Sequence, residues 1–157
     1  MEKEFLNSVE EHQGIIYKIC KMYRDSKEDQ EDLFQEIVLQ LWKAYPNFKG
    51  TAKMSTWMYR IGLNTALALF RKKRIALDYQ ERVSENSKTV DSSQEPSENE
   101  ERLFEAIRKL NPVERAITAL YLEDYAHKEI ATITGISENY VGVRINRIKN
   151  KLKKIVN

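Results

Sequence analysis

The chain has 157 residues, of which 41% are hydrophobic and 32% charged, so it is long enough for one ordinary domain or two small ones and belongs to the water-soluble globular class. No apolar run approaches bilayer-spanning length, the segment MEKEFLNSVEEH lacks a signal-peptide pattern, and the single cysteine, Cys20, excludes an internal disulfide and a cysteine-rich metal site. A cytoplasmic protein with a small buried thiol is expected.

The net charge of +2 understates the polarity of the chain, because the charges are segregated. Residues 1–36 carry 5 Lys/Arg against 10 Asp/Glu, residues 37–75 carry 8 against 0, residues 76–100 carry 2 against 7, residues 101–138 carry 5 against 7, and residues 139–157 carry 6 against 0. Two zones thus hold bases without a single acid, as two phosphate-facing surfaces would.

Helical periodicity dominates. Phe5, Val9, Ile16 and Ile19 begin a first pattern, and after a polar break, RDSKEDQED, the run LFQEIVLQLWKAY begins a second with Leu33, Phe34, Ile37, Val38 and Leu41 on its apolar face. Asp32, Gln35, Glu36, Leu39 and Lys43 share another face, which composition alone reads as solvated, with one exposed Leu; a protein-docking surface is the alternative. PNFKGTAKM then breaks the helix, and STWMYRIGLNTALALFRKKR follows. Met54, Met58, Ile61, Thr65 and Leu69 form the predicted core stripe, while Trp57, Arg60, Asn64 and Arg71 line up on another side. Trp and Arg stack on unpaired bases, Asn reads base edges, and Arg71, Lys72, Lys73 and Arg74 neutralise phosphates. Taken one at a time, Trp57 reads better as core and RKKR as a helix C-terminus favoured by its dipole; their combination in an acid-free zone points to nucleic acid.

Residues 77–100, rich in Ser, Glu and Asn, read as a flexible acidic linker between two all-helical units, residues 1–76 and 101–157. In the second unit a helix through Leu103, Ile107 and Leu110 ends at Asn111-Pro112, and another runs through Ile117 and Leu120. Lys128 to Thr134 is a short helix with Ile130, Ala131 and Ile133 in its core, Gly135 makes a left-handed turn, and Ser137 caps a longer helix, which together is a helix-turn-helix. Val141, Ile145, Ile148, Leu152 and Ile155 form the seam of that last helix. Arg144, Arg147, Lys151 and Lys154 form a cationic stripe beside it. Two isolated His, one Cys, and the lack of a Gly-rich phosphate loop or clustered metal ligands argue against an enzyme, a cofactor or a small-molecule substrate.

With both units in view the chain resembles the extracytoplasmic-function (ECF) sigma factors of bacterial RNA polymerase. DLFQEIVLQLWKAYPNFKG resembles the family's polymerase-docking helix, STWMYRIGLNTALALFRKKR its minus-ten reading and melting segment, and EIATITGISENYVGVRINRIKNKL its minus-35 helix-turn-helix. The resemblance implies that Asp32, Gln35, Glu36 and Leu39 contact core RNA polymerase. It implies that Phe48, within the loop Tyr45 to Thr51, forms with Asn64 a pocket for a flipped base, and that Arg60 and Arg71, Lys72, Lys73 and Arg74 hold phosphates beside Trp57. Ser137, Tyr140, Val143, Arg144, Arg147 and Lys151 are then the minus-35 contacts, promoter DNA the ligand, and an anti-sigma factor a further partner. The chain departs from the family where Ala126 and His127 stand before KEIA, leaving that helix less well capped, and at Tyr140, Gly142 and Val143. A Gly inside a helix costs about 1 kcal/mol relative to Ala, so Gly142 is expected to serve a close backbone approach. The competing reading is a stand-alone helix-turn-helix regulator of duplex DNA, which leaves residues 37–75 unexplained.

Overall fold

The computed structural model describes the chain over residues 1–80 and 98–156, with side chains to residue 72 in the first stretch and to residue 155 in the second. All regular structure among the described residues is helical, and the chain divides into two units, Met1–Asp91 and Ser92–Asn157.

The first unit opens with α1 (Glu2–Glu11) and α2 (Gln13–Tyr23), where the sequence pattern suggested one continuous element. The break falls at His12, whose ring Nδ1 and backbone N–H both donate to the Ser8 carbonyl at 3.0 Å, closing α1 before α2 starts. α3 (Lys27–Ala44) begins well inside the expected polar break. Ser26 Oγ accepts the Asp29 N–H at 3.1 Å, and Glu28 and Asp29 lie in the first turn, where the helix dipole favours acids. A 3-10 turn, Tyr45–Asn47, carries Pro46, and Gly50 at φ 75° turns the loop towards α4 (Met54–Gln80).

α4 packs against both α2 and α3. Its buried residues are Met58, Tyr59, Leu63 and Ala66, all at 2% exposure or less. This corrects the predicted core stripe: of its members only Met58 is buried, and Ile61, Thr65 and Leu69 instead border an open groove between α3 and α4. A helix wedged between two partners buries a broad arc, centred between the directions of its neighbours. Gly62 lies in that arc, and a methyl group there would come within 2.8 Å of Ile19 Cδ1 and 3.6 Å of Ile37 Cγ2, so the missing side chain sets the distance of approach. Ile16, Ile19, Met22, Leu33, Ile37 and Leu41 complete the core.

The second unit comprises α5 (Glu98–Arg108), α6 (Pro112–Leu122), α7 (His127–Thr134) and α8 (Glu138–Val156). Both ends of the expected linker are helical, since α4 runs to Gln80 and α5 starts at Glu98; its remainder, residues 81–97, lies outside the described residues. Of the residues that marked these helices, Leu103 is exposed, whereas Ile107, Leu110, Ile117 and Leu120 are buried. α6 starts with Pro112 in its first turn and a reciprocal cap: Asn111 Oδ1 accepts the Glu114 N–H at 2.9 Å, and Glu114 Oε1 accepts the Asn111 N–H at 3.3 Å. Buried Arg115 secures the preceding turn by donating to the carbonyls of Leu110 at 2.9 Å and Arg108 at 2.6 Å. At the other end Asp124 takes a left-handed φ of 64°, tolerated by Asp, and the Tyr125 N–H reaches back to the Leu120 carbonyl.

Candidate nucleic-acid and polymerase interfaces

Along α3, burial of Leu33, Ile37 and Leu41 turns Asp32, Gln35 and Leu39 outwards, Leu39 being 44% exposed. Glu36 faces aside, accepting a hydrogen bond from Gln40 Nε2 at 2.9 Å and bordering the α3–α4 groove. Phe34 and Val38 are half-buried, with Phe34 packed on Tyr17 at 4.7 Å between ring centroids. The outward surface therefore presents the carboxylate of Asp32, the amide of Gln35 and the apolar Leu39 in succession, with exposed Lys43 beyond them.

On α4 the arc opposite the buried residues carries Arg60, Asn64 and Arg71, all exposed, with half-buried Trp57 at its N-terminal end. Lys72 is exposed beside them, and the side chains of Lys73 and Arg74 lie outside the described residues. The loop before α4 is held by aromatic contacts. Phe48 packs on Trp57 at 4.9 Å, Trp57 lies 6.2 Å from Tyr45, Tyr45 meets Phe5 edge-on at 5.2 Å, and Phe5 meets Trp42 at 5.0 Å. Such pairs add about 0.5–1.5 kcal/mol each beyond area burial. Trp57 thus serves both alternatives raised by its position, part of the packing and part of the surface. The involvement of Phe5 had no local signal, because its partners lie some forty positions away in the chain.

In the second unit α7 ends at Gly135 (φ 79°), and Ser137 Oγ accepts the Tyr140 N–H at 3.2 Å to cap α8. The N-terminus of α7 has half a capping box: Glu129 Oε1 accepts the Ala126 N–H at 2.9 Å, but the alanine methyl returns nothing to the Glu129 N–H. Gly142 lies against the His127 ring. A methyl group at position 142 would meet Nδ1 at 3.6 Å and Cε1 at 3.7 Å, ordinary contact distances, so the close neighbour of this glycine is α7 and a side chain would fit.

The cationic stripe of α8 is divided. Glu114, 2% exposed on α6, accepts from Lys151 Nζ at 2.8 and 3.0 Å and from Arg144 at 3.5 Å. Arg144 also donates to the Tyr140 hydroxyl at 3.2 Å and lies over its ring at 5.0 Å. Arg147 and Lys154 remain exposed, as do Tyr140 and Val143, and Lys149 stands over the Tyr121 ring at 5.1 Å. Sequence pattern placed Arg144 and Lys151 correctly on one face, seven residues apart, but gave no sign of the carboxylate on α6 that holds them. No helix among the described residues is long and apolar enough to cross a membrane, and no group of His, Cys, Asp or Glu among them is arranged to hold a metal ion.

Comparison with known proteins agrees with this layout. Residues 8–75 match the family model of sigma-70 region 2, and residues 100–152 match that of sigma-70 region 4. The ECF RNA polymerase sigma factor SigG of Mycobacterium tuberculosis is 35% identical over 71 residues, a match covering 45% of this chain and only 19% of that longer protein. SigW of Bacillus subtilis is 27% identical over 163 residues, covering 96% of this chain and 87% of its own. The fold is shared with the solved sigma factor RpoE of Bartonella quintana, crystallised with the anti-sigma factor NepR: TM-score 0.82 at 18% identity, covering 98% of this chain and 97% of that one. Carrying sigma-70 region 2 followed by sigma-70 region 4, the chain belongs to the ECF sigma factors of RNA polymerase.

Proposed function

We propose that the protein is a cytoplasmic promoter-specificity subunit that works by binding alone. The first unit docks on core RNA polymerase through the outward face of α3, chiefly Asp32, Gln35 and Leu39. Its α4 captures the melted non-template strand of the minus-ten element. Asn64 reads an extruded base beside the Phe48 loop, and Arg60, Arg71 and Lys72, followed by Lys73 and Arg74, hold the adjoining phosphates. The second unit places α8 in the minus-35 major groove, and an anti-sigma partner competes for these surfaces. The observation that carries the reading is the exposed arc Arg60–Asn64–Arg71 on α4, in a zone without one carboxylate, next to an aromatic loop. Duplex DNA alone needs neither that arc nor the α3 face.

On α8 the exposed Arg147 and Lys154 are assigned to backbone phosphates, Tyr140 and Val143 to the groove, and Ser137 to the cap. Arg144 and Lys151 reach DNA only by leaving Glu114. Titrating labelled protein with core polymerase, followed by fluorescence anisotropy, tests the whole. Wild type is expected to bind tightly and Asp32→Arg/Leu39→Asp to lose binding while melting at the same temperature. Salt-sensitive binding to duplex DNA without any binding to polymerase would replace the proposal with a stand-alone regulator.

A further inference from the structure

Burial of Val141, Ile145 and Ile148 fixes which side of α8 faces away from the second unit. Opposite them, at spacings of four, three and four, stand Asn139, Val143, Asn146 and Asn150, all exposed. Among the described residues none of the three amide side chains has an intramolecular partner. The ridge carries no charge. On one flank stand Arg147 and Lys154 and on the other Lys153, all exposed, with Lys149 set back over Tyr121. Arg144 and Lys151, the remaining cations of the helix, are drawn down to Glu114.

An uncharged ridge between cationic flanks is the complement of a major groove, which has base edges on its floor and phosphates along both walls. The chemistry of the ridge is selective. A carboxamide offers one donor and one acceptor side by side, matching the N7 and N6 of adenine; guanine presents two acceptors there and is matched by Arg or Lys. Valine methyl groups match the thymine C5-methyl.

On the reading of the second unit as a duplex-binding module, we infer that Asn139 and Asn146 are specificity-determining residues that each pair with an adenine, with Val143 against a thymine methyl between them. Seven helical residues advance about 10.5 Å, and a base step about 3.4 Å, so the two adenines stand about three steps apart. Arg147 contributes affinity without sequence preference.

The test uses the full chain saturated onto core polymerase and a duplex selected from a randomised pool. Replacing single adenines of that duplex by 7-deazaadenine removes N7, and replacing thymine by uracil removes the methyl group. Wild type is expected to lose about tenfold in affinity at two adenines about three steps apart. Asn139→Ala and Asn146→Ala should each become indifferent to one of the two, and Val143→Ala indifferent to uracil. Arg147→Ala should weaken every duplex alike. All four substitutions sit on the exposed face of a helix that alanine favours, and unchanged melting confirms that each variant folds. Deaza effects that persist in both Asn variants, or that are absent in wild type, overturn the assignment of the amides. A wild-type protein that selects no sequence at all overturns the duplex-binding reading beneath it.

Discussion

Replacing Glu114 by Gln should make the protein less stable and a stronger binder of duplex DNA. The amide keeps the size of the side chain and an oxygen for the Asn111 N–H, but it loses the charge that holds Lys151 at 2.8 Å and Arg144 at 3.5 Å. A hydrogen bond to a charged group contributes about 1.5–3 kcal/mol, whereas a fully exposed ion pair contributes about 1 kcal/mol or less. Glu114 is 2% exposed, but the Lys151 side chain is 50% exposed and regains water on release, so the expected loss is about 2 kcal/mol, near the lower bound for charged hydrogen bonds. For a domain of this size that lowers the melting temperature by about 10 °C. Both tryptophans, Trp42 and Trp57, lie in the first unit, so their fluorescence reports that unit while far-UV circular dichroism reports both. The shift should appear in the dichroism and leave the fluorescence transition in place. The two released cations should steepen the dependence of log binding constant on log salt by up to about 1.8, each freed phosphate contact adding about 0.9. An unchanged dichroism transition would refute the energetic argument. A loss of about one contact from the salt slope in Lys151→Ala, equal to that in Arg147→Ala, would show that Lys151 serves DNA rather than Glu114.

Three further outcomes follow from single residues. Ala126→Ser completes the capping box that Glu129 begins and should stabilise the second unit by about 1 kcal/mol in urea titration; no gain would mean that the cap geometry is wrong. Gly142→Ala should raise stability by about 1 kcal/mol, because the added methyl meets His127 at ordinary contact distance and the helix loses a glycine, and a net loss in thermal melting would contradict that. Burial pushes the Cys20 thiol from 9.0 up to about 12, against a smaller lowering by the Arg24 guanidinium. A raised folded-state value stabilises fully below the unfolded one, so the native thiol should resist a disulfide-exchange reagent at about pH 8, and the contribution of the thiol to stability should vanish as pH climbs from 9.0 towards about 12. Rapid labelling of the folded protein would refute it.

What the sequence conveyed best was local. Gly135 and Ser137 announce a turn and a cap by their own chemistry, so the helix-turn-helix was legible from a few residues. The exposed arc of α4 was equally legible, because Trp57, Arg60, Asn64 and Arg71 recur at helical spacing on a single helix. The start of α3 was hidden, since a capping Ser followed by acidic residues is as polar as a loop, and hydrophobic periodicity is blind to it. The buried face of α4 was misplaced because Tyr59, Gly62 and Ala66 are recruited by two partner helices at once, and neither small residues nor Tyr signal burial strongly. The division of the α8 stripe depended on Glu114, thirty and more positions upstream, whose burial only the packing of α6 against α8 establishes.

The chain of rings from Trp42 through Phe5, Tyr45 and Trp57 to Phe48 has an evolutionary corollary. The loop at one end of it cannot drift freely, because a smaller or larger ring at position 48 or 57 leaves a gap or a clash that travels back to α1. Descendants of this protein that change the loop should therefore carry compensating changes at positions 5 or 42, outside the loop, and an experimenter transplanting the loop alone into another scaffold inherits the misfit without its remedy.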